Sequence, residues 1–327
     1  MFERYQRQTI LPEVAIKGQE FLRNSKILVA GAGGLASSAL QFLVGAGCGN
    51  LTIYDSDTIS ENNLHRQTIY NEKYIGLSKV KIAKSILLDL NSNCNITAIP
   101  ENINNKNIKG LIKSHDLVLD CGDNFSLSYK LSDICYLLKK PLFSASAIRF
   151  EGYAGGFCGD APSLRAVFPD LPDNSEDCNT AGVIGPVVGT LGSIQAQMAI
   201  NYILDIKPKP LGQMVSINLK NFYFSNFRFD KALEPKKSNF SFIDLDQIQD
   251  DDIVVELRDI KEAPILIARN AIRLELHGLE EQVTQFDKNQ RLIFICKSGI
   301  RSWKAAKSIE HIWENEISLI ADNKELN

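Results

Sequence analysis

The chain contains no Cys-x-x-Cys pair, no uninterrupted apolar run long enough to span a membrane and almost no excess of either charge. Each absence removes a class of function. Seven cysteines at irregular spacings make neither a disulfide framework nor a Cys-x-x-Cys zinc site, which points to a reducing cytoplasm. Residues 181–200 come nearest to a membrane span but are broken by Pro186, four glycines, Gln195 and Gln197. A span needs about 20 predominantly apolar residues, so a buried turn and helix is expected, with no membrane association. A net charge of −3 leaves no nucleic-acid footprint. The opening MFERYQRQTIL is charged throughout and has no apolar core, unlike a secretory signal. What remains is an ordinary globular composition, 44% hydrophobic and 23% charged, in 327 residues, enough for two domains.

The chain is organised around residues 26–63. Lys26 to Ala30 reads as a short strand, Gly31, Gly33 and Ala36 fit the turn G-x-G-x-x-G/A, a helix-period segment follows, and a second strand from Leu51 to Tyr54 ends in Asp55. Asp55 lies 19 residues beyond Ala36, about where a ribose-binding carboxylate belongs. Gly31 permits the tight turn, Gly33 and the adjacent Gly34 let backbone approach a phosphate, and Ala36 lets the helix pack close to its strand. The pattern requires an adenosine phosphate but does not separate NAD, FAD and ATP.

Past Asp55, the segment SDTISENNLHRQ gathers Asn62, Asn63, Arg66 and Gln67 just beyond a strand's carboxyl end, where open α/β sheets bind ligands. These donors suit a polyphosphate. Lys79 falls in the first turn of a predicted helix, where it opposes the macrodipole unless an anion is present. A strand over 95–100 and a helix over about 106–114 precede HDLVLDCGDN, whose apolar run places Asp120 and Asp123 at another strand's carboxyl end. Carboxylates facing the same crevice as several cations suit a bridging Mg²⁺; for Asp120, capping the next helix is the competing role. Arg4 and Arg7, three apart near the N-terminus, could share a helix face or be solvated surface charges.

Taken together, RYQRQ, GAGGLAS, DSDTISENNLHRQ, GLSKVK, DCGDN and CNTAGVIGPVVGTLGSIQA resemble the MoeB/ThiF/HesA family, bacterial relatives of ubiquitin-activating enzymes, over about residues 4–205. The resemblance implies a Rossmann-like doubly wound α/β sheet. It also implies ATP-dependent adenylation of the C-terminal glycine of a ubiquitin-like sulfur carrier ending in Gly-Gly, of the MoaD or ThiS type. Asp55 then matches the family's ribose-binding acid, Asn63, Arg66 and Lys79 its triphosphate-binding residues, and Asp123 its Mg²⁺-binding aspartate. Arg7 matches an arginine inserted into the partner protomer's ATP site, which implies a homodimer. Cations are obligatory for this chemistry, because a carboxylate approaching ATP at about 4 Å meets a repulsion of about 4 kcal/mol per unit charge pair at an effective dielectric of 20. No general base is needed, since the carboxylate is already ionised.

Two features bear on the family's variable parts. Ser163 and Ala166 stand in SLRAVFP where the family usually carries the first cysteine pair of a structural zinc, and no second pair follows Phe227. Zinc is therefore not expected, and packing is expected to hold the local fold. Cys178 matches a cysteine that in some relatives attacks the acyl-adenylate; a buried or incidental thiol is the alternative. Cys48, Cys94, Cys121, Cys135 and Cys158 read as small buried hydrophobes.

These features give domain limits of 1–228 for the ATP-binding part, 229–241 for a Pro, Lys and Ser linker, and 242–327 for a second, smaller α/β domain. The last resembles a rhodanese-like domain, above all in CKSGIRS, where Cys296 to Arg301 would form the active loop. A cysteine at a strand-to-helix turn is surrounded by N–H groups that favour thiolate and persulfide, and Lys297 and Arg301 add positive charge. The segment KEAPILIARNAI is short for that family, and the chain stops at Asn327 before its customary last helix. A docking domain that transfers sulfur poorly is the alternative. If both parts act, a cysteine desulfurase could supply the sulfur. Two competing whole-chain readings are a non-catalytic carrier-binding scaffold and an NAD-dependent oxidoreductase; the second leaves Arg7, Arg66, Lys79 and Asp123 without a joint purpose.

Overall fold

The computed structural model describes residues 3–171, 181–235 and 240–322. The chain divides into two compact units, Met1–Asp123 with Leu131–Val167 and Glu176–Glu234, and Asn124–Lys130 with Phe168–Ser175 and Pro235–Asn327.

The strands of the first unit are β1 (Lys26–Ala30), β2 (Asn50–Tyr54), β3 (Asn95–Ile99), β4 (Leu117–Asp120), β5 (Pro141–Ile148), β6 (Glu151–Cys158), β7 (Gln213–Asn218) and β8 (Tyr223–Arg228). They form one sheet in the order β3-β2-β1-β4-β5-β6-β7-β8. Pairing is parallel from β3 to β5 and antiparallel from β5 to β8. Ile27 to Ala30 are wholly buried, as expected of a central parallel strand covered on both faces. The helices, in chain order, are α1 (Gln6–Thr9), α2 (Ala15–Asn24), α3 (Gly34–Ala46), α4 (Lys79–Leu90), α5 (Ile108–Ser114), α6 (Phe125–Leu137), α7 (Leu164–Val167) and α8 (Gly185–Ile203). The apolar stretch containing Gln195 is thus the buried helix expected from its interruptions, and no helix among the described residues is long and apolar enough to cross a membrane.

The strand order reverses between β1 and β4. The exits of β1, β2 and β4 stand side by side there, with Ala30 level with Tyr54 on one flank and with Asp120 on the other. This is the switch point at which open α/β sheets bind ligands. The five predicted core cysteines are buried. Burial pushes the Cys48 and Cys158 thiols up to about 12, and those of Cys121 and Cys135 well above the ordinary range, so they pack as small hydrophobes.

The second unit holds an all-parallel sheet, β11-β10-β12-β13-β9, built from β9 (Ser241–Phe242), β10 (Ile253–Glu256), β11 (Ala271–Arg273), β12 (Leu292–Cys296) and β13 (Ile317–Ala321). Its own helices are α9 (Leu279–Val283) and α10 (Ile300–Ile309). β12, the central strand, is apolar and fully buried, and it delivers Cys296 to the carboxyl edge.

Candidate active site

Gly31 leaves β1 at φ 97° with its N–H on the Tyr54 carbonyl, 2.8 Å away. A Cβ there would lie 2.8 Å from the Cys121 carbonyl oxygen, so the turn and the β4 exit meet backbone to backbone and only glycine fits. Gly33 is the N-cap of α3. A side chain on Gly34 would collide with Val188 of α8 at 2.6 Å. The amide protons of the first turn of α3 thereby face the crevice above the sheet.

Asp55 shapes this turn from the β2 exit. One carboxylate oxygen accepts the Ala32 N–H at 2.7 Å and the other the Asp57 N–H at 2.8 Å. Burial pushes the Asp55 carboxyl up, against the Lys79 charge and these two bonds. A carboxylate offers about four lone-pair positions, so both oxygens keep capacity for a ligand hydroxyl.

Asn63, Arg66 and Gln67 come from one short loop whose backbone closes on itself, the Arg66 and Gln67 N–H groups both donating to the Asn63 carbonyl. The Arg66 guanidinium donates to the Asn62 carbonyl at 3.0 Å. Gln67 is only 4% exposed, its Nε2 lies 3.6 Å from where a Gly33 Cβ would be, and its Oε1 is buried with no hydrogen-bond partner among the described residues. Such an orphaned polar atom beside a phosphate-type turn is costly unless something binds there.

Lys79, the first residue of α4, is 5% exposed, and its ammonium lies 2.7 Å from the Asp57 carboxylate. The conflict with the helix dipole is thus relieved by a neighbouring acid. Tyr70 couples the elements, its hydroxyl shared between the carbonyls of Ala32 in the turn, 2.8 Å, and Lys79, 3.3 Å.

The two acids after β4 part company. Asp120 is buried, five residues before α6 begins; it accepts from Ser144 Oγ at 2.8 Å and from the Gly122 N–H at 3.3 Å. Gln195, wholly buried in α8, fixes the same exit by donating to the Asp120 and Phe143 carbonyls, both at 2.7 Å. Asp123 is exposed, and among the described residues its carboxylate takes no hydrogen bond or ion pair. Arg7 is not brought to this crevice. Its neighbour Gln8 donates to the Ala46 carbonyl at 2.8 Å, at the far end of α3 from the glycine turn, and 13 helical residues span about 20 Å. Cys178 lies outside the described residues.

At Ser163 and Ala166, where the resemblance would put the first cysteines of a zinc site, the structure has a hydrogen-bonded clasp. Ser163 donates through its N–H and its hydroxyl to the two Glu234 oxygens, at 2.7 and 2.6 Å, and Ser163 Oγ in turn accepts from the Ala166 N–H at 3.2 Å. Packing is present as expected, with Ala161, Leu164 and Leu171 buried, and the Glu234 carboxylate adds hydrogen bonds to it. Asp57, Tyr70, Gln195 and Glu234 were not singled out as site-shaping residues from sequence. The alternate acids of DSD and a pair of glutamines, Gln195 and Gln197, in an apolar helix were the available signals.

In the second unit, Cys296 is fully buried, and its sulfur accepts from the N–H groups of Gly299, 3.1 Å, and Ser302, 3.3 Å. Gly299 sits at φ 88° and a Cβ there would strike Phe242 at 2.8 Å. Arg301 interacts electrostatically with Cys296 but shares its charge with an acid. Both its NH groups bond Glu262, at 2.7 and 2.8 Å, and one also bonds the Leu257 carbonyl.

Among curated proteins the chain is similar to the adenylyltransferase and sulfurtransferase MOCS3 of Drosophila ananassae, with 38% identity over 228 residues, 69% of this chain and 51% of that protein. The Drosophila grimshawi protein of the same name is 40% identical over 231 residues, with the same coverage. The chain thus spans about half the length of the curated relatives it matches. Among solved structures it is similar in fold to Escherichia coli MccB crystallised with ATP, at TM-score 0.57 and 21% identity over 65% of this chain and 66% of that one. It is also similar to PaaA, at TM-score 0.59 and 20% identity over 70% and 74%. Since the ThiF family model matches residues 5–239, which contain the whole crevice just described, this chain belongs to the ThiF family.

Proposed function

We propose that this chain uses ATP to adenylate the C-terminal glycine of a ubiquitin-like sulfur-carrier protein. The observation that carries the proposal is the surroundings of the glycine turn: Arg66 and Gln67 on one side, Lys79 tied in through Tyr70 on another, and the exit leading to Asp123 on the third. Cations around an N–H-lined turn suit a triphosphate, and Asp55 suits its ribose. A terminal carboxylate oxygen of the carrier attacks the α-phosphorus, the new P–O bond forms, and the bond to the β-phosphate oxygen breaks with its electron pair leaving on pyrophosphate. Lys79, drawn from Asp57, and Arg66 offset the charge that builds on the leaving group.

An exposed carboxylate with no hydrogen bond or ion pair among the described residues fits a hard divalent ion, so Asp123 is the residue that would hold Mg²⁺. When bound, the ion would neutralise phosphate charge. Arg7, about 20 Å from its own turn by the length of α3, acts in the site of a second copy, giving a homodimer.

In the same proposal residues 242–327 form a rhodanese-like part. Cys296, cradled by two N–H groups, carries a persulfide loaded by a cysteine desulfurase. Its terminal sulfur attacks the acyl carbon of the adenylate, AMP leaves, and a thiol reduces the resulting acyl disulfide to the thiocarboxylate. The pairing of both activities in the names of the MOCS3 relatives supports this order.

ATP–pyrophosphate exchange with MoaD-like and ThiS-like carriers ending in Gly-Gly tests the proposal. Exchange that needs one carrier and is lost in Asp123→Ala is expected. ATP binding without exchange on any carrier would favour a carrier-binding scaffold.

A further inference from the structure

Arg7 can act in a second copy only if the short arm that carries it is held still. That arm is a 3₁₀ turn, Glu3–Tyr5, running into α1, a single turn of four residues with no side-chain cap. A helix so short has no stability of its own. Its direction is therefore set by what it touches.

Three side chains tie the arm down. Tyr5 is buried, and its hydroxyl accepts from Asn91 Nδ2 at 2.8 Å. Gln8 donates to the Ala46 carbonyl and Arg4 to the Leu90 carbonyl, both at 2.8 Å. Gly47, at φ 86°, makes room for Tyr5, since a Cβ there would lie 2.7 Å from the phenol ring. Tyr5 and Gln8, three residues apart, share one face of the arm. Arg7, between them, is exposed and has no hydrogen bond or ion pair among the described residues.

Asn91 is the centre of this clamp. It is wholly buried at the end of α4, its Nδ2 donates to Tyr5 Oη and to the Val44 carbonyl of α3, both at 2.8 Å, and its Oδ1 accepts the Asn93 N–H. One amide group thus joins the arm to the C-terminal ends of the two helices whose N-terminal ends hold the glycine turn and Lys79.

We infer that Tyr5 and Asn91, with Gln8, are positioning residues for Arg7: they fix the arm so that the arginine meets the nucleotide of the other copy in one orientation. This rests on the reading in which Arg7 acts in a second copy, and adds what aims it. An arm ordered before the nucleotide arrives loses less freedom when the contact is made.

The test is pyrophosphate exchange, with the MoaD-like or ThiS-like carrier that supports it, in Tyr5→Phe and Gln8→Ala. Tyr5→Phe removes only the hydroxyl, and Gln8→Ala leaves the Ala46 carbonyl its bond from Gln19, at 3.0 Å. Each variant is expected to lose about three- to tenfold in rate, the size of one hydrogen bond. After subunits are mixed with an equal amount of Asp123→Ala, Tyr5→Phe is expected to return to about a quarter of the wild-type rate, because each mixed dimer has one site with both an intact Asp123 and an intact arm. Mixed with Arg7→Ala it is expected to show no gain over the mean of the two separate proteins, since one site then lacks Arg7 and the other receives the loosened arm. Recovery with Arg7→Ala and none with Asp123→Ala would place Tyr5 in the site of its own chain and overturn the inference. Wild-type rates in both variants would also overturn it, as would recovery with neither partner while Arg7→Ala and Asp123→Ala recover with each other. No recovery between those last two overturns the second-copy reading, and the inference with it.

Discussion

The Lys79 ammonium stands 2.7 Å from the Asp57 carboxylate, almost fully buried while its partner is about two-thirds exposed. The acid therefore holds the cation in place until a stronger anion claims it. Asp57→Asn is expected to destabilise the free protein by about 1 kcal/mol, since a nearly buried charge loses its counter-ion. Saturating ATP should restore more stability to this variant than to the wild type, and thermal denaturation with and without ATP reads the difference. Lys79→Ala is expected to cut pyrophosphate exchange by about 100-fold or more with the fold retained.

Gly31 offers a backbone test of the same crevice. A methyl group there meets both a left-handed φ of 97° and the Cys121 carbonyl at 2.8 Å. Gly31→Ala should lose about 1–3 kcal/mol from strain alone, and ATP affinity should fall with it because the turn must open away from β4. Denaturant melts and ATP titration check the two effects together; unchanged stability would mean that the turn and the β4 exit are not in contact.

The parts of this site that were legible in sequence are local ones. Gly31, Gly33, Ala36 and Asp55 lie in one strand-turn-helix-strand unit whose spacing is dictated by the chain itself, and Lys79 declared itself by the helix it starts. Asp123 was marked by the strand before it and by its place in DCGDN, whereas the burial of Asp120 against Ser144 depends on a strand 24 residues away. Gln195 and Glu234 act across 75 and 71 residues respectively. Such contacts exist only once the sheet has brought distant exits together, and no periodicity encodes them. Arg301 was read for the same local reason: its charge beside Cys296 was plain, but its pairing with Glu262, 39 residues earlier, was not.

The Ser163–Glu234 clasp gives a test of the expectation that no zinc is held at this segment. Glu234→Ala leaves the Ser163 N–H and hydroxyl without their acceptor, which should cost about 1–3 kcal/mol. A strong chelator should leave the melting temperature of the wild type unchanged. A chelator-induced drop of several degrees would show that a bound metal, and not the carboxylate, holds this segment.

Arg301 holds the Glu262 carboxyl below the usual glutamate range, helped by the Asp259 N–H against the cost of burial. A depressed acid contributes stability that is complete above its unfolded value, about 4.3, and is lost as pH falls through the lower folded value. Because Glu262 is 38% exposed, solvent screening keeps the contribution to about 0.2–1 kcal/mol. Glu262→Gln should therefore be slightly less stable than the wild type at pH 7, and the two denaturation curves should converge at strongly acidic pH.

Arg7 and Asp123 give the sharpest test of how many chains build one site. If Arg7 crosses to a second copy, each site of a homodimer takes Asp123 from one protomer and Arg7 from the other. Arg7→Ala and Asp123→Ala should each be inactive in pyrophosphate exchange. Mixed in equal amounts and allowed to exchange subunits, they form heterodimers in half of the molecules. In each heterodimer one site has both residues mutated and the other has neither, so about a quarter of wild-type activity should return. An arginine acting within its own chain predicts no recovery at any mixing ratio, because every site would then lack either its arginine or its aspartate. Recovery near a quarter, with no recovery when subunit exchange is blocked by cross-linking each variant beforehand, would assign Arg7 to the partner's site. The separation of Arg7 from the glycine turn by the whole length of α3 is the structural reason to expect that result.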